Sequence, residues 1–283
     1  MFTLTAQNKY GQRLKLTDNE AYVITDIVGL DPPDGVINTT RNANADGSVY
    51  NSAYVNDRTV IITLAINEEA EENRINLYKY FKPKYPVRLF YQNSRRNVYI
   101  DGYVKSFTVG FFAQKQVAQI TIFCPNPFFN GSKNTITDFS SIVRSFEFPF
   151  CVEEDDPIIF GEIVAETEKN VINGGDVETG AKFVLHARGA LSTPSLYRVD
   201  TGEYFTLNIS MRTGDEIHIN TIKKQKSVVL ISQGVTTNII GSLKSGSTWF
   251  QLSPADNIFT TDAATNPENL DVYCVVTDQF EGV

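Results

Sequence analysis

The constraint that most narrows the fold is a period-two alternation of apolar residues, cut at short intervals by turn-forming dipeptides. In Arg58-Thr-Val-Ile-Ile-Thr-Leu-Ala-Ile66, residues Val60, Ile62, Leu64 and Ile66 fall on one face, and Gln116-Val-Ala-Gln-Ile-Thr-Ile-Phe123 repeats the pattern. Such a period places alternate side chains on opposite faces of a pleated strand, so each run predicts a half-buried β-strand. Asp31-Pro-Pro-Asp-Gly35, Asp46-Gly47, Asp101-Gly102 and Asn130-Gly131 are read as turns, as are Asn173-Gly-Gly-Asp-Val-Glu-Thr-Gly180, Thr201-Gly-Glu203 and Gly214-Asp215. The expectation is a mainly β protein.

One segment breaks the period. Glu68, Glu69, Glu71 and Glu72 precede apolar residues at helical spacing, Ala70, Leu77, Tyr78 and Phe81, with Lys79 and Lys82 at the far end and Pro83 as the stop. This predicts one helix, with Asn67 as its N-cap. It is read as a cover over a sheet, with a place at a subunit boundary as the sharper alternative.

Cys124-Pro-Asn-Pro-Phe-Phe-Asn-Gly-Ser132 ends strand pairing, because proline cannot donate to a ladder. The expected division is therefore residues 1–130 and 131–283, with the last strand, around Asp271-Val-Tyr-Cys-Val-Val-Thr277, able to pack back towards the first domain. Charge divides similarly. Residues 1–125 carry 14 Lys+Arg against 12 Asp+Glu, a balance of +2, whereas residues 126–283 carry 11 against 21, a balance of −10. An acidic second half and a near-neutral first half argue against nucleic-acid recognition, which rests on clustered cations. No apolar run approaches the roughly 20 residues of a bilayer crossing, so membrane insertion is not expected, and charged residues near Met1 argue against a signal peptide.

Catalytic signatures are missing. Three cysteines, Cys124, Cys151 and Cys274, have no CxxC spacing and read as plain thiols. His186 and His218 sit in strand patterns with no acid partner at ligand spacing. The carboxylates nominate no acid–base pair, which would need a cleft with two facing groups. Gly241-Ser-Leu-Lys-Ser-Gly-Ser-Thr248 fails as a phosphate loop because Trp249-Phe250-Gln251-Leu252 after it reads as a strand, not a helix. Neither a metal nor a cofactor is expected. Two aromatics, Trp249 and Tyr197, are candidates for stacking against a sugar ring; the competing reading makes Trp249 a core residue.

Longer segments carry a family likeness. Tyr22-Val-Ile-Thr-Asp-Ile-Val-Gly-Leu-Asp-Pro-Pro33, Asp46-Gly-Ser-Val-Tyr50, Arg74-Ile-Asn-Leu-Tyr78, Val98-Tyr-Ile-Asp-Gly-Tyr-Val104 and Gln119-Ile-Thr-Ile-Phe-Cys-Pro125 follow in order. After them come Phe148-Pro-Phe150, the Asn173–Gly180 segment, Lys226-Ser-Val228 and Ser247-Thr-Trp249. Together they resemble the distal tail proteins of siphophages. Two departures from the family pattern, Ser192-Thr-Pro194 and Pro254-Ala-Asp-Asn257, bear on loop shape.

The resemblance implies an N-terminal β-sandwich or split-barrel domain with one helix, and a C-terminal jelly-roll similar to galectins and carbohydrate-binding modules. It further implies a non-enzymatic homohexameric ring at the end of the tail, a virion component assembled in the host cytoplasm. Its expected partners are the tail-tube protein, the tail-associated lysin or tip protein, and receptor-binding proteins. The alternative function is recognition of host cell-wall polysaccharide by the jelly-roll itself.

Overall fold

A computed structural model describes residues 2–44, 46–67, 69–111, 115–144, 161–165 and 168–283. Phe148-Pro-Phe150, Cys151 and Glu68 lie outside the described residues. The chain divides into two compact units, Met1–Ser132 with Gln279–Val283, and Lys133–Asp278.

The first unit contains β1 (Thr3–Asn8), β2 (Arg13–Lys15), β3 (Tyr22–Val28), β4 (Gly35–Thr40), β5 (Val49–Val55) and β6 (Arg58–Ile66). Helix α1 (Ala70–Tyr80) follows, then β7 (Pro86–Gln92), β8 (Asn97–Val109), β9 (Gln116–Cys124) and β10 (Phe129–Asp138), which runs on into the second unit. All pairing is antiparallel. One ladder runs β2–β1–β7–β8 and another β8–β9–β6–β3, so β8 belongs to both. Its residues 97–103 pair with β7 and residues 103–109 with β9, with a bulge between Val104 and Ser106. A bulge bends the strand and increases its twist, which is how one strand can serve two sheets.

Asp101-Gly102 is consequently not a turn. It lies inside β8 where β9 passes so close that a Cβ on Gly102 would sit 2.6 Å from the Ile122 side chain and 2.8 Å from Cys124 Sγ. Asn130-Gly131 is likewise strand, pairing with Tyr99 and Val98. The turn at Asp46-Gly47, with Gly47 at φ +87°, joins β4 to β5. Val60, Ile62, Leu64 and Ile66 of β6 do share a buried face, meeting Ala118, Ile120 and Ile122 of β9 and Leu4, Leu89 and Ile100. Each large aliphatic side chain so buried contributes roughly 1.5–3 kcal/mol.

Helix α1 covers this core with Leu77 and its C-cap residue Phe81, both fully buried. Its N-cap is Glu69, in a left-handed conformation at φ 43° with no side-chain capping bond. Asn67 does not cap; its side chain donates to the Glu20 carbonyl at 3.2 Å and its backbone amide to Ala21, so the residue closes strand pairing instead.

In the second unit β11 (Ser140–Arg144) pairs with β12 (Gly161–Ala165). Then come β13 (Lys169–Asn170), β14 (Ala181–Ala187), β15 (Leu191–Arg198), β16 (Glu203–Thr206), β17 (Ser210–Met211), β18 (Glu216–Asn220), β19 (Ser227–Ser232), β20 (Val235–Asn238), β21 (Ile258–Thr265) and β22 (Leu270–Phe280). One sheet orders β22–β14–β18–β19–β20 and the other β13–β21–β15–β16, with β17 also on β15. Their inner faces enclose Phe183, Leu185, Ile217 and Val272 against Leu196, Phe205 and Phe259. Phe250 fills the centre, 5.1 Å from the Phe259 ring and near-perpendicular to it. This is the two-sheet β architecture that the jelly-roll expectation described.

Trp249–Leu252 is not a strand. Leu252 exchanges both backbone bonds with Thr179, while Thr248 donates to Tyr204, so the segment is tied to two different neighbours rather than laddered to one. Ser192-Thr-Pro194 lies within β15, with Thr193 at φ 52°. At Pro254–Asn257 the fully buried Asn257 side chain donates to the Val171, Ser253 and Ala255 carbonyls.

Candidate functional site

Three features of the first unit stand out once its core is accounted for. The first is a guanidinium in the interior. Arg58, 4% exposed at the start of β6, donates to the carbonyls of Pro127 (2.6 Å), Gly29 (2.7 Å), Asp31 (2.6 Å) and Glu281, with its cation 4.7 Å from the Phe129 ring centre. Burial lowers its pKa from the ordinary guanidinium value, yet arginine stays charged. It ties three distant stretches, at 29–31, 127 and 281, to the start of β6, the last of them from the returning tail. Gln279 to Asn130 and Arg96 over the Phe280 ring add to the same fastening. The alternating pattern placed Arg58 merely at a strand start, and one arginine in a sequence carries no sign of the carbonyls it will meet.

The second feature is a hairpin. Strands β4 and β5 form a separate two-stranded sheet. Ile37 and Tyr50 are 65% and 64% exposed, and Val49 and Tyr54 are exposed as well. The register puts Ile37, Thr39, Ala53 and Tyr50 on one face and Val36, Tyr54 and Val49 on the other.

The third is a groove of about 880 Å³ formed by the β1–β2 turn, the second half of α1, the α1–β7 loop and the end of β8. Its floor and walls are Tyr10, Ile75, Tyr78, Phe107, Val109 and Phe111, and Lys9, Lys79 and Lys82 are its charged lining residues. Tyr78 packs edge-on against Phe107 at 5.0 Å. Lys9 lies 3.9 Å above the Tyr85 ring, a geometry that favours a cation over the aromatic face. No sequence signal announced this groove, because its walls come from four separate stretches of chain.

In the second unit the two sugar-stacking candidates are not brought together. Trp249 is half-buried, edge-on to Phe205 at 5.2 Å, with Lys226 Nζ 5.3 Å from its ring centre. Tyr197, 38% exposed, pairs with Tyr204 across the β15–β16 ladder, ring centres 6.5 Å apart. Leu196 and Phe205 point to the core from the same two strands, so Tyr197 and the Phe205–Trp249 pair lie on opposite faces of that sheet.

Both histidines do have carboxylate neighbours, contrary to the sequence reading. His218 Nε2 is 3.1 Å from Glu216, two residues back on the same face of β18, and His186 Nδ1 is 3.9 Å from Asp271. Among the described residues no group of three or more His, Cys, Asp or Glu is arranged to hold a metal ion. Burial pushes the Cys124 thiol up to about 12 and raises the Cys274 thiol as well, which makes both unreactive.

Comparison with known proteins gives both units counterparts. Residues 9–124 match the phage tail protein RIFT-related domain, and residues 174–273 match the siphovirus-type tail component, C-terminal domain. Over 99% of both chains the fold resembles that of SPP1 Dit (gp 19.1), described as a paradigm of the hub adsorption apparatus in Gram-positive infecting phages, with a TM-score of 0.70 and 14% identity. A chain of the phage P2 baseplate in its activated conformation with Ca matches over 100% of both chains, with a TM-score of 0.57 and 12% identity. No curated protein sequence matches the chain. Two β-domains, each of a phage-tail type and in this order, define a structural component of a phage tail. The chain belongs to the siphophage distal tail proteins.

Proposed function

We propose that six copies of this chain close into a ring at the distal end of a phage tail, stacking on the tail-tube protein above and receiving the tail-associated lysin or tip protein below. Residues 1–130 build the ring, and residues 131–283 form the jelly-roll domain that presents the docking site for receptor-binding proteins. Assembly takes place in the host cytoplasm, and the role is structural rather than catalytic. The observation that carries this reading is the presence of both tail-domain types in one chain whose fold follows a hub protein over 99% of its length. Closed cyclic symmetry also suits edge-rich β-domains, since it buries strand edges that otherwise invite aggregation.

Light scattering of the purified chain tests it. Six subunits of 31.6 kDa give about 190 kDa; a monomer at every concentration, or a different copy number, would overturn the hexamer. A second reading, sugar binding by the jelly-roll, draws its support from the exposed Tyr197 beside the half-buried Tyr204. Titration with host cell-wall polysaccharide, following Tyr197→Ala against the parent chain, decides it.

A further inference from the structure

We propose that the outer face of the sheet formed by β22, β14, β18 and β19 binds a phosphate-bearing glycan, a polysaccharide whose sugars are joined through phosphodiesters, with Lys182, Lys223, Lys224 and Lys226 taking the phosphates. The inference rests on the sugar reading above and changes two things in it. The face lies on the other sheet from Tyr197, and the ligand is an anion.

Register fixes what this face carries. Lys182 of β14 stands between Val275 of β22 and Asn220 of β18, and Asn220 pairs in turn with Ser227 of β19, so these outward side chains form one row across the end of the sheet. The next row brings Tyr273 and His218 to the same face, on either side of Val184. Beyond Asn220 the chain leaves the sheet in the loop Thr221–Lys226, which adds Lys223, Lys224 and Lys226, all exposed like Lys182. The Gln225 amide donates to the Ile222 carbonyl at 3.0 Å and closes a turn with two lysines at its tip. Lys224 has φ 68° there, a conformation that glycine or asparagine adopts at lower cost. Lys226 Nζ lies 5.3 Å from the centre of the Trp249 ring, so the indole steadies a cation beside the turn.

Charge makes the cluster stand out. The second unit carries 11 Lys+Arg against 20 Asp+Glu, yet four of those cations meet at one end of one sheet. The acids of the same face are answered within it, Asp271 by Arg188 at 3.1 Å and Glu216 by His218 Nε2 at 3.1 Å. Among the described residues none of the four lysines forms an ion pair. Uncompensated cations on an acidic body suit an anion presented one group at a time, whereas a uniformly charged polyelectrolyte is repelled by the remaining surface. Beside the lysines, Asn220 and Ser227 supply amide and hydroxyl groups for sugar hydroxyls, and Tyr273, 39% exposed, supplies a ring face. A nucleic-acid strand would need a series of aromatic platforms for its bases, and this face has Tyr273 alone.

Calorimetric titration of the full chain with phosphomannan, and with the same mannan stripped of its phosphate, tests the assignment. Phosphomannan is expected to bind, the stripped polymer to bind about tenfold more weakly, and the difference to shrink as salt is raised. Lys223→Glu with Lys224→Glu should weaken phosphomannan binding about tenfold. Lys105→Glu with Lys133→Glu makes the same change of net charge at other exposed lysines and should leave binding within about twofold of the parent chain. Should the loop variant lose its circular dichroism spectrum, Lys182→Gln with Lys226→Gln takes its place with the same expected loss. If the lysine variants bind as the parent does, or both polymers bind alike, the four lysines are not the site and this proposal fails while the sugar reading stands. Equal binding of single-stranded DNA of matched charge would reveal a general polyanion patch and overturn the glycan. Phosphomannan that does not bind at all also overturns the proposal, leaving the sugar reading to the Tyr197→Ala titration.

Discussion

The two units share a fold class and differ in what they leave uncovered. The first unit, near neutral in charge, exposes large apolar residues in patches: Ile37, Val49, Tyr50 and Tyr54 on the hairpin, Tyr10, Ile75, Tyr78 and Phe111 around the groove. In the second, which carries 11 Lys+Arg against 20 Asp+Glu, a balance of −9, those among the described residues are fewer and scattered, as at Ile136, Tyr197 and Val235. Scattered apolar residues are ordinary on a protein surface, whereas contiguous ones mark contacts. Interiors differ too. The second unit is locked by an aromatic cluster of Phe183, Phe205, Phe250 and Phe259, the first by aliphatic ladders fastened at one end by a buried cation.

That contrast can be broken most severely at Phe250. Phe250→Ala removes the ring at the centre of the aromatic cluster and should cost about 3–5 kcal/mol. In a denaturant titration the second unit's transition should shift to lower concentration while that of the first unit stays in place; a common shift of both would show the units to be one cooperative body. Arg58→Ala is the corresponding blow to the first unit. It leaves four part-buried carbonyls without their donor, and since an unsatisfied buried group costs roughly 1–3 kcal/mol and these are partly open to water, a loss of about 3 kcal/mol is expected in that unit alone.

Alkaline pH adds a gentler probe of the first unit. The Cys124 thiol titrates at about 12 in the fold against an ordinary value of 9. Below pH 9 both states hold the proton and stability is unaffected; above it the unfolded chain ionises first, so stability falls by about 1.4 kcal/mol per pH unit until about pH 12. At pH 10.5 this amounts to about 2 kcal/mol. Cys124→Ala should flatten the decline relative to the parent chain, and an unaltered slope would deny the thiol its part.

Trp249→Ala comes next in size. Half-buried against Phe205, it should cost about 1–2 kcal/mol, between a core aromatic and the roughly 0.5 kcal/mol of a surface site. Its fluorescence, the chain's single tryptophan signal, should be partly quenched by acrylamide. Tyr197→Ala should leave stability within about 0.5 kcal/mol, so a loss of sugar adsorption in that variant would point to binding without the confusion of unfolding.

What could be read from the chain followed from periodicity. Strands β6 and β9 were legible because burial on one face imposes a period of two on the residues themselves. Asp101-Gly102 and Asn130-Gly131 misled because glycine serves close approach as well as turns, and only the neighbouring strand distinguishes the two. Trp249–Leu252 has the composition of a strand, yet Leu252 bonds to Thr179 and the preceding Thr248 to Tyr204, which no local pattern encodes. Trp249 and Tyr197 were singled out as aromatics, but which face each occupies depends on register. Groove and hairpin escaped notice for a different reason: an exposed apolar surface carries no reactive group and so leaves no motif.

The return of Gln279–Val283 to the first unit has a consequence in time. On a ribosome the residues of the second unit, 133–278, emerge before those last five. At roughly 5–20 residues per second, the 146 residues between delay the closing segment by about 7–30 s. Throughout that interval Arg58 waits for the Glu281 carbonyl, and a nascent first unit is held open at one seam. The first unit's last fastening thus depends on the second unit having been made before it.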